Sequence, residues 1–189
     1  PRKTLEINVM GTLNLLEAAR RFKIKRFVFA SSIYVYSNQG AFYRTSKRAC
    51  EQIIEDYNSQ FGLNYTILRF GSLYGPRAGV SNSIYQMIKH AVETNTVAYR
   101  GTGGETREYI HALDGAASAV EILGQDFENQ IIHLTGHERI TTKNMMEMIA
   151  EIIGKNVQVK LGDGEMTGHY FQTPYSYTPK LGRKLIRNS

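Results

Sequence analysis

The apolar patterns along the chain predict an α/β fold: a mostly parallel sheet flanked by helices. Three observations carry that expectation. Helical and strand-like stretches alternate with short links. The strand-like runs are rich in aromatic and β-branched residues, as strands buried on both faces require, and the first of them ends in polar residues where such sheets place their ligands. Leu5 to Phe22, LEINVMGTLNLLEAARRF, sets Leu5, Val9, Leu13, Leu16 and Ala19 at spacings of three and four, with basic residues in the final turn of an amphipathic helix. RFVFASS follows as a strand whose C-terminal end carries Ser31 and Ser32. Helical period returns from Tyr43 to Phe61 through Cys50, Ile53, Ile54, Tyr57 and Phe61, and Gly62 supplies the stop. NYTILRF is a second strand, ending at Phe70 to Ser72.

GSLYGPRAGVSN is then a turn-rich departure from the sheet, followed by a helix around Ile84 to Val92 and a short strand, TVAYR. A second lobe is expected to begin there. Asp114 in ALDGAA is the expected N-cap of the next helix, worth about 1 kcal/mol. IIHLTG reads as another buried strand, and Thr141 or Thr142 caps a helix through Ile153 with Gly154 just past its end. The expected division gives residues 1–75 and 106–136 to the sheet-bearing domain, and 76–105 and 137–189 to the smaller lobe.

Of the 189 residues, 42% are hydrophobic and 21% charged, the balance of a globular protein with enough apolar content for a core. No stretch approaches the apolar length of a membrane span, and no apolar N-terminal segment with a cleavage site is visible; a soluble, cytoplasmic protein without a membrane partner is expected. Cys50, the single cysteine, leaves no intrachain disulfide to form. The net charge is +6, but the cations fall in short groups such as RRFKIKR and KLGRKLIR near the ends of apolar-periodic stretches. They read as a solvated rim and helix-end cations, against a nucleic-acid partner. His90, His111, His133, His137 and His169 show no metal-ligand spacing, and Met145, Met146 and Met148 fit a helix buried on one side.

Tyr43 and Lys47, in FYRTSK, are four apart and lie one above the other on a helix, so the phenol and the ammonium can reach one cleft. An isolated pair at this spacing is usually structural. A phenol, with an unperturbed pKa near ~10, is a poor base at neutral pH, but an adjacent cation stabilises phenolate, and a serine at the neighbouring strand end could bond the same substrate oxygen. Ser32 is placed for that.

The surrounding motifs decide between the readings. NVMGTLNLLEAA, FVFASSIYVYS, FYRTSK, LRFGSLYGP and TREYIHALDGAA stand in the order and approximate spacing of the extended short-chain dehydrogenases/reductases, and the chain resembles their NAD-dependent epimerase/dehydratase family from Asn8 to about Leu185. The resemblance implies a partial Rossmann-like parallel sheet with a smaller C-terminal substrate lobe. It implies Ser32, Tyr43 and Lys47 as the catalytic group, with Tyr43 and Lys47 also meeting the nicotinamide ribose. Asn8, Ala30, Ser31 and Phe70 match positions on the cofactor side. Arg107 in TREYIH is similar to the arginine that holds a nucleotide-sugar diphosphate, a bidentate contact that suits guanidinium. The implied cofactor is NAD, with NADP left open, and the implied assembly is a homodimer through helices 5–22 and 43–61.

Five departures from the family pattern bear on the reading. No glycine-rich strand-to-helix turn precedes Asn8, so the chain is expected to match a C-terminal portion and to bind NAD poorly by itself. GTGGET, the one glycine cluster, reads as a turn. After Ser32 stand Ile33 and Tyr34 in place of the acidic pair of the sugar 4,6-dehydratases, which argues against dehydration, and Ser72 replaces the usual asparagine at a substrate contact. The link from Ser37 to Phe42 is short, and GHYFQTPYSYTPKLGRKL keeps the closing helix signal without the usual Arg and Asp before it. The expected activity is epimerisation of a sugar nucleotide; a sugar ketoreductase, or a non-catalytic nucleotide- or RNA-binding protein on the same scaffold, are the alternatives.

Overall fold

The computed structural model describes residues 1–154, 156–164 and 168–177. The expected closing helix around KLGRKL lies outside the described residues. The chain opens with α1 (Arg2–Leu5), a π-turn (Glu6–Met10) and α2 (Gly11–Arg21), then β1 (Phe27–Ser32), a 3-10 turn (Ile33–Tyr36) and α3 (Ala41–Phe61). β2 (Tyr65–Phe70), β3 (Ser72–Tyr74), α4 (Ser83–Thr94), β4 (Thr96–Tyr99), β5 (Thr106–His111) and α5 (Ala112–Glu121) follow. β6 (Gln130–Leu134), β7 (Arg139–Thr141), α6 (Thr142–Ile153) and β8 (Gln158–Leu161) complete the order.

The α/β expectation holds: β1, β2 and β6 form a parallel sheet in that spatial order. Its register pairs Ser32 with Phe70 and Phe70 with Leu134, so the three strands end together and their C-terminal ends form one rim. Successive residues of β2 point to opposite faces. Ile67 joins Leu16, Cys50, Ile54 and Phe29 beneath α2 and α3, while Leu68 joins Ile110, Ile122 and Leu134 on the α5 side. A separate core of Met87, Ala91, Val97, Met145, Met146 and Ile149 is packed among α4, β4 and α6, and Met148 faces outward.

Three local expectations are corrected. The first helix begins at Arg2 and is interrupted by the π-turn, which widens the backbone by one residue. Leu5, placed by simple periodicity on the buried stripe, is therefore 38% exposed. The stretch GSLYGPRAGVSN is not wholly turn: Ser72–Tyr74 pairs in parallel with Tyr109–His111, a contact too distant in sequence for local pattern to signal. The cap of α5 is His111, whose Nδ1 accepts from Leu113 N at 3.3 Å; Asp114 lies one turn inside, where its charge still favours the helix N-terminus. Thr141 caps α6 as expected, its hydroxyl accepting from Asn144 N at 3.1 Å.

β5 pairs with β3 on one edge and antiparallel with β7 on the other, while β4 pairs in parallel with β8. The segment Gly168–Tyr177 then returns across both sheets. Thr106 N donates to Phe171 O at 2.8 Å, and Glu108 N to the Thr173 hydroxyl at 3.2 Å. This return brings the aromatic side chains of the C-terminal part to the rim of the parallel sheet.

Candidate functional site

Ser32 is the last residue of β1. Its hydroxyl oxygen accepts from Tyr34 N at 3.3 Å and so starts the 3-10 turn that leads the chain off the sheet. The bond fixes the hydroxyl at the strand end and leaves its own proton free to donate. α3 begins after Gly40, whose φ of 89° suits glycine; a Cβ there would stand 2.8 Å from the Tyr34 ring. That close approach brings Tyr43, in the first turn of α3, beside Tyr34, their ring centroids 6.3 Å apart.

Lys47 lies one turn further on. Its Nζ donates to Ala30 O at 2.8 Å, sits 4.7 Å from the Phe29 ring centroid and 5.9 Å from that of Tyr43. Burial draws its pKa below the ordinary lysine value, while Cys50 and Glu51 act in the opposite direction. Ser32, Tyr43, Lys47 and the Ala30 carbonyl are therefore gathered at the C-terminal end of β1.

Asn8 stands behind this group. Its carbonyl accepts from the Gly11 N–H and also from Cys50 Sγ at 3.2 Å, and its side chain donates to Ser46 Oγ at 2.9 Å; Ser46 in turn donates to Tyr43 O at 2.8 Å. Asn8 thus reaches Tyr43 through Ser46 and the backbone. The Ser31 hydroxyl also turns away from the rim, donating to Glu51. Glu51 is locked bidentate to Arg69, with Nε–Oε1 at 3.0 Å and Nη2–Oε2 at 2.7 Å. Tyr36 and Tyr177 complete the shell of Arg69. Phe70, half-buried at the end of β2, packs on the α5 side of the sheet.

The second half of the site comes from β3, β5 and the return segment. Arg107 is 8% exposed, and its Nε and Nη2 are buried without a hydrogen-bond partner among the described residues. Glu105 Oε2, just before β5, is buried and unpartnered in the same way, so two opposite charges stand two residues apart without closing an ion pair among the described residues. Tyr170 links the halves. Its hydroxyl is 3.5 Å from Ser72 Oγ, and its ring is 5.7 Å from the Arg107 guanidinium carbon and 4.9 Å from the Tyr34 ring.

Sequence reasoning assigned no contact to Tyr34, His169 or Tyr170. The only hint was the tyrosine-rich run HYFQTPYSY, which has neither helical nor strand period. A cleft of about 1000 Å³ opens between α4, β4 and β8, but none of the site residues named above borders it. Convergent side chains, not cavity size, mark the site. Among the described residues no cluster of His, Cys, Asp or Glu could hold a metal ion, and no helix is long and apolar enough to cross a membrane.

Residues 1–134 match the family model described as NAD dependent epimerase/dehydratase family. The chain is 27% identical over 168 residues to a UDP-glucuronate 4-epimerase of Thermodesulfobacterium geofontis, covering 82% of this chain and 52% of the relative. It is 28% identical over 166 residues to a putative UDP-glucose 4-epimerase of Methanocaldococcus jannaschii, covering 79% and 54%. Among solved structures it is similar to UDP-glucuronic acid 4-epimerase from Bacillus cereus in complex with UDP-glucuronic acid and NAD, with TM-score 0.80, 23% identity and coverage of 93% of this chain and 63% of that one. The Thermus thermophilus UDP-glucose 4-epimerase complex with NAD gives 0.74, 26%, 94% and 66%. The chain spans about half the length of the curated relatives it matches.

Proposed function

Since this chain belongs to the NAD dependent epimerase/dehydratase family, we propose that it supplies the acid/base and substrate-holding half of an NAD-dependent sugar-nucleotide epimerase. The observation that carries the reading is Lys47, an ammonium fixed on Ala30 O at 2.8 Å and set beside the ring of Tyr43 at the end of a parallel strand. In α/β sheets that end is where ligands bind.

Tyr43 takes the proton of the reacting sugar hydroxyl and returns it after the ring has turned. Lys47 stabilises the phenolate by its charge, and Ser32, held at the strand end by its bond from Tyr34 N, donates to the same sugar oxygen. NAD, when bound, supplies the acceptor and donor of hydride. The donor set at Lys47 fits that cofactor: one N–H meets Ala30 O, and the others remain for a ribose hydroxyl. Ala30 and Phe70 border the nicotinamide end, while Asn8 and Ser31 support it from behind. Arg107 takes the diphosphate, since a buried guanidinium with two unpartnered nitrogens is suited to an anion with two adjacent acceptors, and Ser72 contacts the sugar beside it.

The substrate lobe is assigned to residues 76–105 and 137–189, with the remainder as the partial dinucleotide-binding domain. A homodimer is assigned to the helices 5–22 and 43–61, which expose Ile7, Leu15, Tyr43 and Phe61. A cytoplasmic setting fits Cys50, a buried free thiol. The direct test is Tyr43→Phe in the full-length protein assayed with NAD and a UDP-hexose. Loss of turnover by roughly 10²–10⁴-fold is expected. Turnover at the wild-type rate would remove Tyr43 from the chemistry.

A further inference from the structure

Tyr34 and His169 lie 135 residues apart in sequence and meet at the rim, the Tyr34 hydroxyl 2.5 Å from His169 Nδ1. Tyr34 follows Ser32 by two residues, so the 3-10 turn started by Ser32 also aims this ring. It stands edge-on to Tyr43 on one side and tilts against Tyr170 on the other, and Tyr170 in turn faces Arg107. The pair therefore occupies the space between the proton-transferring phenol and the guanidinium assigned to the diphosphate. A sugar ring joined to that diphosphate must cross this space to present its reacting hydroxyl to Tyr43.

The pair is electrically neutral. Burial pushes the Tyr34 phenol up to about 12, with Tyr170 adding to the shift and Arg107 opposing it. Desolvation, then the Arg107 charge, draws the His169 imidazole below its ordinary value. Among the described residues no lysine or arginine hydrogen-bonds to or stacks on Tyr34 or His169, and Arg107 is the cation that faces Tyr170. Lys47 is tied beneath, on Ala30 O. With Arg107 engaged by the diphosphate, no other lysine or arginine among the described residues hydrogen-bonds to or stacks on the pair, the Arg44 guanidinium beside Gly40 being turned to Ser37 O.

We propose that Tyr34 and His169 form the specificity-determining contact for the sugar, admitting a sugar nucleotide whose substituent facing them is a hydroxyl, hydroxymethyl or acylamino group and rejecting a uronate. The proposal rests on the sugar-nucleotide reading above. A neutral hydroxyl can accept from one member of the pair and donate to the other. A carboxylate placed there would lose hydration without gaining a counter-charge, and its cost sets the discrimination.

The test uses the full-length protein with UDP-glucose and UDP-glucuronate as probes, measuring affinity by calorimetry and turnover by product analysis. UDP-glucose is expected to bind at least about tenfold more tightly. Tyr34→Phe keeps the ring and removes the hydroxyl, and should weaken UDP-glucose while leaving UDP-glucuronate little changed, so that the ratio collapses. His169→Lys adds a cation and should move the preference toward UDP-glucuronate. Equal affinities in the wild type, or a ratio that neither substitution moves, would overturn the proposal. The two readings fail separately: turnover without discrimination removes the selectivity alone, whereas discrimination with turnover that survives Tyr43→Phe removes the acid/base assignment alone.

Discussion

Arg69 and Arg107 are both strand-borne guanidinium groups, 4% and 8% exposed, and the fold treats them in opposite ways. Arg69, on β2, is closed on every side: Glu51 takes two of its N–H groups in a bidentate pair, and Tyr36 and Tyr177 take others. Arg107, on β5, keeps Nε and Nη2 unpartnered among the described residues, with an aromatic ring for company. A paired buried ion ties elements together, here α3 to the sheet and both to the return segment. An unpaired one carries a desolvation penalty of several kcal/mol that a ligand's negative charge can offset (on the order of the buried-ion cost). Burial therefore does not tell a structural arginine from a binding one; the state of its partners does.

The largest effect that would sharpen this contrast is expected at Glu51. Glu51→Gln leaves Arg69 as an uncompensated buried charge and should lower stability by roughly 3–5 kcal/mol, read as the shift of the urea midpoint at unchanged slope. An unmoved midpoint would mean that Arg69 is not a joint. Arg107→Leu should do the reverse. It should leave stability within ~1 kcal/mol of wild type, or raise it, while weakening UDP binding by about 2–5 kcal/mol in calorimetry. Unfolding with binding intact would exchange the roles of the two arginines.

A smaller effect is expected where the polar partners are neutral. Ser46→Ala cuts the link from Asn8 to the Tyr43 carbonyl and should cost about 1 kcal/mol, seen as a lowered thermal midpoint. A cost as large as that at Glu51 would show that charge is not what separates the two classes.

The smallest effect concerns pH. His133 and His169 both have pKa values drawn down, by desolvation first and then by Arg69 and Arg107 respectively. Their folded values lie below the unfolded one, near ~6.5, so the unfolded chain binds protons more readily there. The stability they contribute is fully present above that value and is lost as pH falls through the folded ones. The protection factors of residues 168–177, corrected for intrinsic exchange at each pH, should therefore fall as pH drops below about 6.5. His169→Gln should remove the part of that response nearest Tyr170 and spare the part near Tyr175, which stacks on His133. A response untouched by the substitution would assign all of it to the Arg69 side.

Much of the scaffold was legible before any coordinate. The strand ending in Ser31 and Ser32, the long helix from the Tyr43 region to Gly62 and the Thr141 cap all rest on periods and end signals within one or two turns. The π-turn was not legible, because Glu6–Met10 has the composition of ordinary helix and the widened turn is sealed by Ser46 and Cys50 on another element. His111 took the cap expected of Asp114 because the helix starts at Ala112, directly after β5 and three residues earlier than a cap at Asp114 would allow.

By itself, the sequence determined the local geometry of the chemistry: a helix that sets Tyr43 and Lys47 one turn apart, and a strand that delivers Ser32 to its end. Those relations depend on backbone period and on burial of near neighbours, which short stretches encode. Only the tertiary structure decided which charges are satisfied and which wait for a ligand. Arg69 meets a glutamate 18 residues away, and Tyr34 a histidine 135 residues away, while Arg107 meets no hydrogen-bonding partner for two of its nitrogens among the described residues. Such pairings are fixed by how whole layers pack and where the return segment crosses them, and no local pattern carries that information.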